Sequence, residues 1–99
     1  MMIHESRENG TISFALEGRL DTTTAPMLQE ALIPAFDKAK EILLNLEKLA
    51  YLSSAGLRVL LIGQKTANAK GAALTVSGVS EDIMEVLDMT GFSDILTIV

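Results

Sequence analysis

The sequence predicts an α/β domain on a mixed sheet, and three observations predict it. Short apolar runs alternate with segments of helical periodicity in the order β-β-α-β-α-β-α-β, the pattern of crossovers joining parallel strands. The opening pair of strands is joined by Asn9-Gly10, a hairpin turn signal that makes this part antiparallel. Hydrophobic residues are 48% of the 99, enough to bury a core and unlike the composition of a disordered chain. At this length one domain is expected, residues 1–99.

The elements follow in order. Ile12, Phe14 and Leu16 alternate with small or polar residues, which predicts a strand over 11–17, with Met2 to Arg7 as its hairpin partner. Gly18 is expected to end that strand. In Leu20-Asp21-Thr22-Thr23-Thr24, Asp and Thr side chains can accept the orphan amide protons of a helix start. Pro26 fits the first turn. Leu28, Leu32 and Phe36 form a buried stripe, and Pro34 is expected to break this helix near Leu32-Ile33. Ile42 to Leu46 is a nearly continuous apolar run, which predicts a central strand buried on both faces. A helix follows from Ser54 to Lys70, with Leu57, Leu60, Leu61, Gln64 and Ala67 on one face and Gly71 as its stop. Ala72 to Ser77 reads as a strand. Ser80 caps a short acidic helix with Ile83, Val86 and Leu87 inward, closed by Thr90-Gly91. Ile95 to Val99 is expected as an edge strand.

Charge and composition exclude whole classes of function. Asp and Glu number 13 against 8 Lys and Arg, a net charge of −5. Such a chain repels phosphate backbones and anionic lipid, so no nucleic acid and no membrane partner is expected, and a basic protein surface suits it better. Aromatic residues are only 4%, too few for base-stacking platforms. The absence of cysteine removes disulfide scaffolds, thiolate metal sites and thiol catalysis. No signal-peptide pattern opens the sequence and no apolar run approaches a membrane span, so a cytoplasmic location is expected.

No enzyme machinery is visible, and no cofactor or metal is expected. His4 is the one histidine and stands in a terminal strand, where a surface role is the plain reading. Glu81, Asp82, Glu85 and Asp88 have the spacing of a solvated helix face rather than of a calcium loop. Gly63-Gln64-Lys65-Thr66 resembles the tail of a phosphate loop, but Arg58 stands where the preceding glycine belongs and the tetrad lies inside a predicted helix. Asn9-Gly10-Thr11 matches a glycosylation sequon and is read here as turn chemistry.

What remains is Leu52-Ser53-Ser54-Ala55-Gly56-Leu57, two serines where a strand gives way to a helix. Serine there is first of all an N-cap, worth ~1 kcal/mol. Ala55 and Gly56 keep the first turn small, which lets another molecule approach the backbone. Free amide groups at a helix start also tolerate a phosphoryl group.

These residues, with three further blocks, resemble the STAS domain of bacterial anti-sigma factor antagonists. The blocks are Gly18-Arg19-Leu20-Asp21, Ile42-Leu43-Leu44-Asn45-Leu46, Tyr51 to Leu60, and Leu87-Asp88-Met89-Thr90-Gly91-Phe92. The resemblance covers nearly the whole chain. It implies a mixed sheet of four or five strands with helices mainly on one face. It implies an anti-sigma factor antagonist that, unphosphorylated, binds an anti-sigma factor serine kinase and frees the sigma factor. Phosphorylation ends that binding, and a PP2C-type phosphatase restores it. Placing the family's Asp-Ser-Ser-Gly-Leu on Ser53 to Leu57 puts the phosphoacceptor at Ser54, with Ser53 where the family has Asp. The implied partner patch comprises Asp21, Thr22, Thr23 and Thr24 together with Ser53, Ala55, Gly56, Leu57 and Arg58. An alternative from the same resemblance is a scaffold or subunit module of another signalling or lipid-transport complex.

Overall fold

The computed structural model describes all of residues 1–99. The elements are β1 (Met2–Glu8), β2 (Thr11–Leu20), α1 (Ala25–Ala35), β3 (Glu41–Leu52), α2 (Ser54–Lys70), β4 (Ala73–Ser77), α3 (Glu81–Thr90), a 3₁₀ turn (Phe92–Asp94) and β5 (Thr97–Ile98). The five strands form one sheet in sequence order. The β1–β2 hairpin is antiparallel and every later pairing is parallel. The mixed sheet and the order of elements are those the sequence predicts.

Register explains which residues form the core. Ile12 pairs with Ile42 and Phe14 with Leu44, and Ile42 and Leu44 pair in turn with Leu74 and Val76. All six are buried, so one face of the sheet is the wall of the core. Helices α1 and α2 pack side by side on that wall through Leu28, Leu32, Leu57 and Leu60. Ile83 and Leu87 of α3 join the same cluster. Residues of the opposite parity, Ser13, Ala15, Leu43, Asn45, Thr75 and Ser77, are only half-buried. The expectation that Ile42–Leu46 is buried on both faces is therefore corrected: β3 is central, but its second face is not covered by helices.

Strands β2 and β3 run further than their alternation suggests. Between Ala15–Asn45 and Glu17–Lys48, β3 carries one extra residue, and it gains another between Gly18–Leu49 and Arg19–Tyr51. These bulges shift the inward positions of β3 from Leu44 and Leu46 to Leu49 and Leu52, a spacing of three that hides the strand from a period-2 reading. Asn45 Oδ1 accepts the Glu47 N–H at 2.9 Å at the first bulge. Gly18 does not end β2. It passes through the ladder at φ +107°, and the Met1 backbone lies 3.4 Å from where its Cβ would stand.

The helices differ from expectation in detail. Pro34 sits within the last turn of α1, and the helix ends one residue later at Ala35 rather than at Leu32-Ile33. The last turn tightens into bonds from Phe36 N–H to Ile33 C=O (3.2 Å) and Asp37 N–H to Pro34 C=O (3.1 Å). Helix α2 has the predicted ends, with Gly71 at φ +65° as its stop. Its buried stripe is Gly56, Leu57, Val59, Leu60, Gly63 and Ala67, so Leu61 and Gln64 lie on the flank. In α3, Ile83 and Leu87 are buried and Val86 half-buried. β5 is shorter than predicted, because Phe92–Asp94 form a 3₁₀ turn before it. No helix is long and apolar enough to cross a membrane.

Candidate functional site

The site forms where the parallel strands β2 and β3 end together. Leu20 pairs with Leu52, and beyond the ladder the Ser53 N–H donates to the Leu20 carbonyl at 2.9 Å. This bond sets the loop before α1 beside the start of α2, at the carboxyl ends of parallel strands where α/β folds place their sites.

The two serines divide the work. Ser53 is extended (φ −98°, ψ 174°), and its Oγ accepts the Gly56 N–H at 3.4 Å as the helix N-cap, while its carbonyl accepts from Leu57 N–H at 3.0 Å. A serine thus fulfils the capping role at the position where the family pattern carries Asp. Ser54 is the first residue of α2 and exposed, and the cap bond leaves its hydroxyl uncommitted. Ala55 is half-buried.

Gly56 and Leu57 point inward. A Cβ on Gly56 would lie 2.7 Å from Leu20 Cγ and 2.8 Å from Leu52 Cδ1, and Leu57 is buried beside them. The small residue at position 56 therefore serves close packing of α2 onto the strand ends. This corrects the reading that it opens the backbone to an approaching molecule; Gly56 and Leu57, both in the expected partner patch, are buried in the chain by itself. Arg58 is exposed on the outer face of α2.

The neighbouring loop is organised by Asp21. Its Oδ1 accepts the Thr23 hydroxyl (2.8 Å) and the N–H groups of Thr23 (3.0 Å) and Thr24 (3.2 Å). The Thr24 hydroxyl donates to the Arg19 carbonyl and accepts the Asp21 N–H, both at 2.8 Å. Thr24 is the N-cap of α1 by position but makes no side-chain cap bond, so the Asp21 carboxylate orders this helix start instead. Thr22 and Thr23 are exposed and Asp21 is half-buried. The Thr23 hydroxyl and, behind it, the Thr23 and Thr24 amides favour the charged carboxylate, so Asp21 titrates below its ordinary value of 3.8 despite some opposing desolvation. A folded-state value below the unfolded one adds stability that is present above the unfolded value and lost as pH falls through the folded one. Asp21→Asn is expected to remove part of the acid-induced loss of stability below pH 3.8, read by urea unfolding across that range.

Two residues outside the expected patch belong to this end of the molecule. Arg19 and Tyr51 are register partners just before the paired leucines, and the guanidinium carbon lies 4.2 Å from the ring centroid. Arg19 Nε is also 3.8 Å from Asp21 Oδ2. The signal was present in the sequence as a matched pair of triplets, Arg19-Leu20-Asp21 and Tyr51-Leu52-Ser53, but only the bulged register makes them neighbours.

Comparison with known proteins places the chain. The STAS domain model matches residues 4–99. The chain belongs to the STAS domain family. A relative from Bacillus subtilis (strain 168), the anti-sigma-B factor antagonist, is 30% identical over 87 residues, covering 88% of this chain and 80% of its own. Among solved structures, an anti-sigma factor antagonist from Mycobacterium paratuberculosis is similar at a TM-score of 0.86 with 20% identity, covering 98% of this chain and 83% of that one. The Bacillus cell fate determinant SpoIIAA in its phosphorylated form is similar at 0.78 with 17% identity, covering 99% and 91%. These likenesses support the STAS fold expected from the sequence, a five-stranded mixed sheet with three helices.

Proposed function

We propose that this STAS protein is an anti-sigma factor antagonist controlled by phosphorylation of Ser54. Unphosphorylated, it binds an anti-sigma factor serine kinase and so releases the sigma factor. The kinase moves the γ-phosphoryl group of ATP to Ser54 Oγ, the hydroxyl proton leaves and ADP departs. A PP2C-type phosphatase hydrolyses the ester and restores the binding form. No cofactor is needed in this chain for either step.

The observation that carries this reading is the division between the serines: Ser53 Oγ is spent on the cap, while the Ser54 hydroxyl stands exposed at the first position of α2. The relative's name supports the antagonist role, and SpoIIAA, solved in a phosphorylated form, shows that a protein of this fold carries a phosphate. A phosphate adds about −1.5 to −2 charges, which a helix start accommodates and a protein interface does not. The docking surface in this reading is Asp21, Thr22, Thr23, Thr24, Ser53, Ala55 and Arg58, with Arg19 and Tyr51 adjoining.

Incubation with the cognate kinase and ATP is expected to add one phosphate, seen by intact-mass spectrometry, and Ser54→Ala is expected to abolish it. Full incorporation into Ser54→Ala would refute the assignment. Affinity capture from the cell separates this reading from the scaffold alternative, since recovery of a transport or signalling assembly without a sigma-regulating kinase favours the latter.

A further inference from the structure

We propose that Arg58 is a built-in receptor for the Ser54 phosphate: the modified serine and the arginine one turn later close into an intramolecular ion pair. Pairing withdraws from the partner the cation that the unmodified surface offers. The inference rests on the reading of Ser54 as phosphoacceptor and adds how the modified state is held.

The placement and freedom of Arg58, together with the geometry of a helix, carry it. Ser54 and Arg58 are both exposed and both lie in α2, at positions i and i+4. That spacing places their Cβ atoms about 5–6 Å apart, well within reach of a guanidinium. Helical side chains lean toward the N-terminus, a direction that carries a residue at position 58 toward the turn that begins with Ser54, and an anion four residues before a cation is the favourable order. Arg58 is also free. The four ion pairs and the cation–π contact of the chain use His4, Arg7, Arg19 and Lys70 as cations, and Arg58 enters none of them. The other guanidinium at this end, that of Arg19, is held against Tyr51 and near Asp21.

The consequence is a switch that acts twice on local charge. In the unmodified protein Arg58 presents a planar donor fork to solvent, suited to a carboxylate or another acceptor of the partner. Phosphorylation adds about −1.5 to −2 charges beside it and turns the fork inward onto those oxygens. A partner group facing Arg58 then loses its counter-charge and meets an anion. The phosphate itself is partly neutralised by the pair.

The test uses the full chain with phosphoserine encoded at position 54, so no kinase is needed. The second ionisation of the phosphate is followed by ³¹P NMR against pH in the parent chain and in R58Q, R58K and R19Q. The parent phosphate is expected to ionise at a pH lower than in R58Q by about 0.3 units or more, with the gap shrinking at 1 M salt. R58K is expected to recover part of the shift, and R19Q to change it by less than half as much. Identical titrations of the parent and R58Q would overturn the proposal, as would a larger effect of R19Q than of R58Q. Circular dichroism checks that the variants remain folded. The titration fails only if the pair does not form, whereas the kinase assay fails only if Ser54 is not the acceptor.

Discussion

Ser54→Glu is expected to weaken binding to the anti-sigma kinase several hundredfold while leaving the circular-dichroism spectrum of the chain unchanged. The two halves of this result have separate causes. Ser54 is exposed and takes no part in the cap, which Ser53 supplies, so a longer anionic side chain at this position displaces nothing in the core. A carboxylate in the first turn of a helix is, if anything, favourable to it. At a closed interface the same carboxylate brings repulsion, bulk and desolvation. A loss of ~3–4 kcal/mol there corresponds to the several-hundredfold effect. Titration calorimetry reads the affinity. Unchanged binding by a folded Ser54→Glu chain would place the interface elsewhere, and loss of fold would mean that the hydroxyl is structural.

Phe14→Ala is expected to have the largest effect on stability. Phe14 is 0% exposed, pairs with the equally buried Leu44, and stands in the middle of the wall on which the helices pack. Removing a buried phenyl ring costs ~3–5 kcal/mol, because the lost transfer energy is compounded by a cavity that the sheet cannot close. In a domain of this size that lowers the melting temperature by about 4–8 °C for each kcal/mol. Since small domains have only ~5–15 kcal/mol in total, the loss is a large fraction of the stability of the fold. Urea denaturation checks it. A loss under ~1 kcal/mol would mean that the wall repacks far more freely than a close-packed interior does.

The legible parts of the fold were those in which local chemistry and tertiary context agree. Asn9-Gly10 turns the hairpin, with Asn9 itself at φ +51°, and Ser80 caps α3 by accepting the Ile83 N–H. Ser53 and Gly71 bound α2 as their residue types demand. The ends of β2 and β3 were not legible, for one physical reason. Two bulges in β3 change the inward spacing from two to three, so Leu49 and Leu52 do not continue the pattern of Ile42, Leu44 and Leu46. The site inherits that opacity. Its residues come from two loops whose adjacency depends on the Ser53–Leu20 bond, and the Arg19–Tyr51 stack exists only in the bulged register. Pro34 is a different case: it removes one bond to the preceding turn, but only Ala35 of the helix follows it, so the disturbance is confined to the end of α1, where the chain closes in i→i−3 bonds. Gly56 shows how a correct motif invites the wrong physical reason, because the space it saves lies inside the protein.

In the proposed switch, one of two adjacent hydroxyls is free to carry a charge while the other holds the helix. The decisive measurement is residue-level phosphosite mapping on the chain recovered from its own cell, with fragment ions that separate Ser53 from Ser54. Phosphate is expected on Ser54 and none on Ser53. Phosphate on Ser53, or a chain that is never phosphorylated while its partner kinase is active, would contradict it.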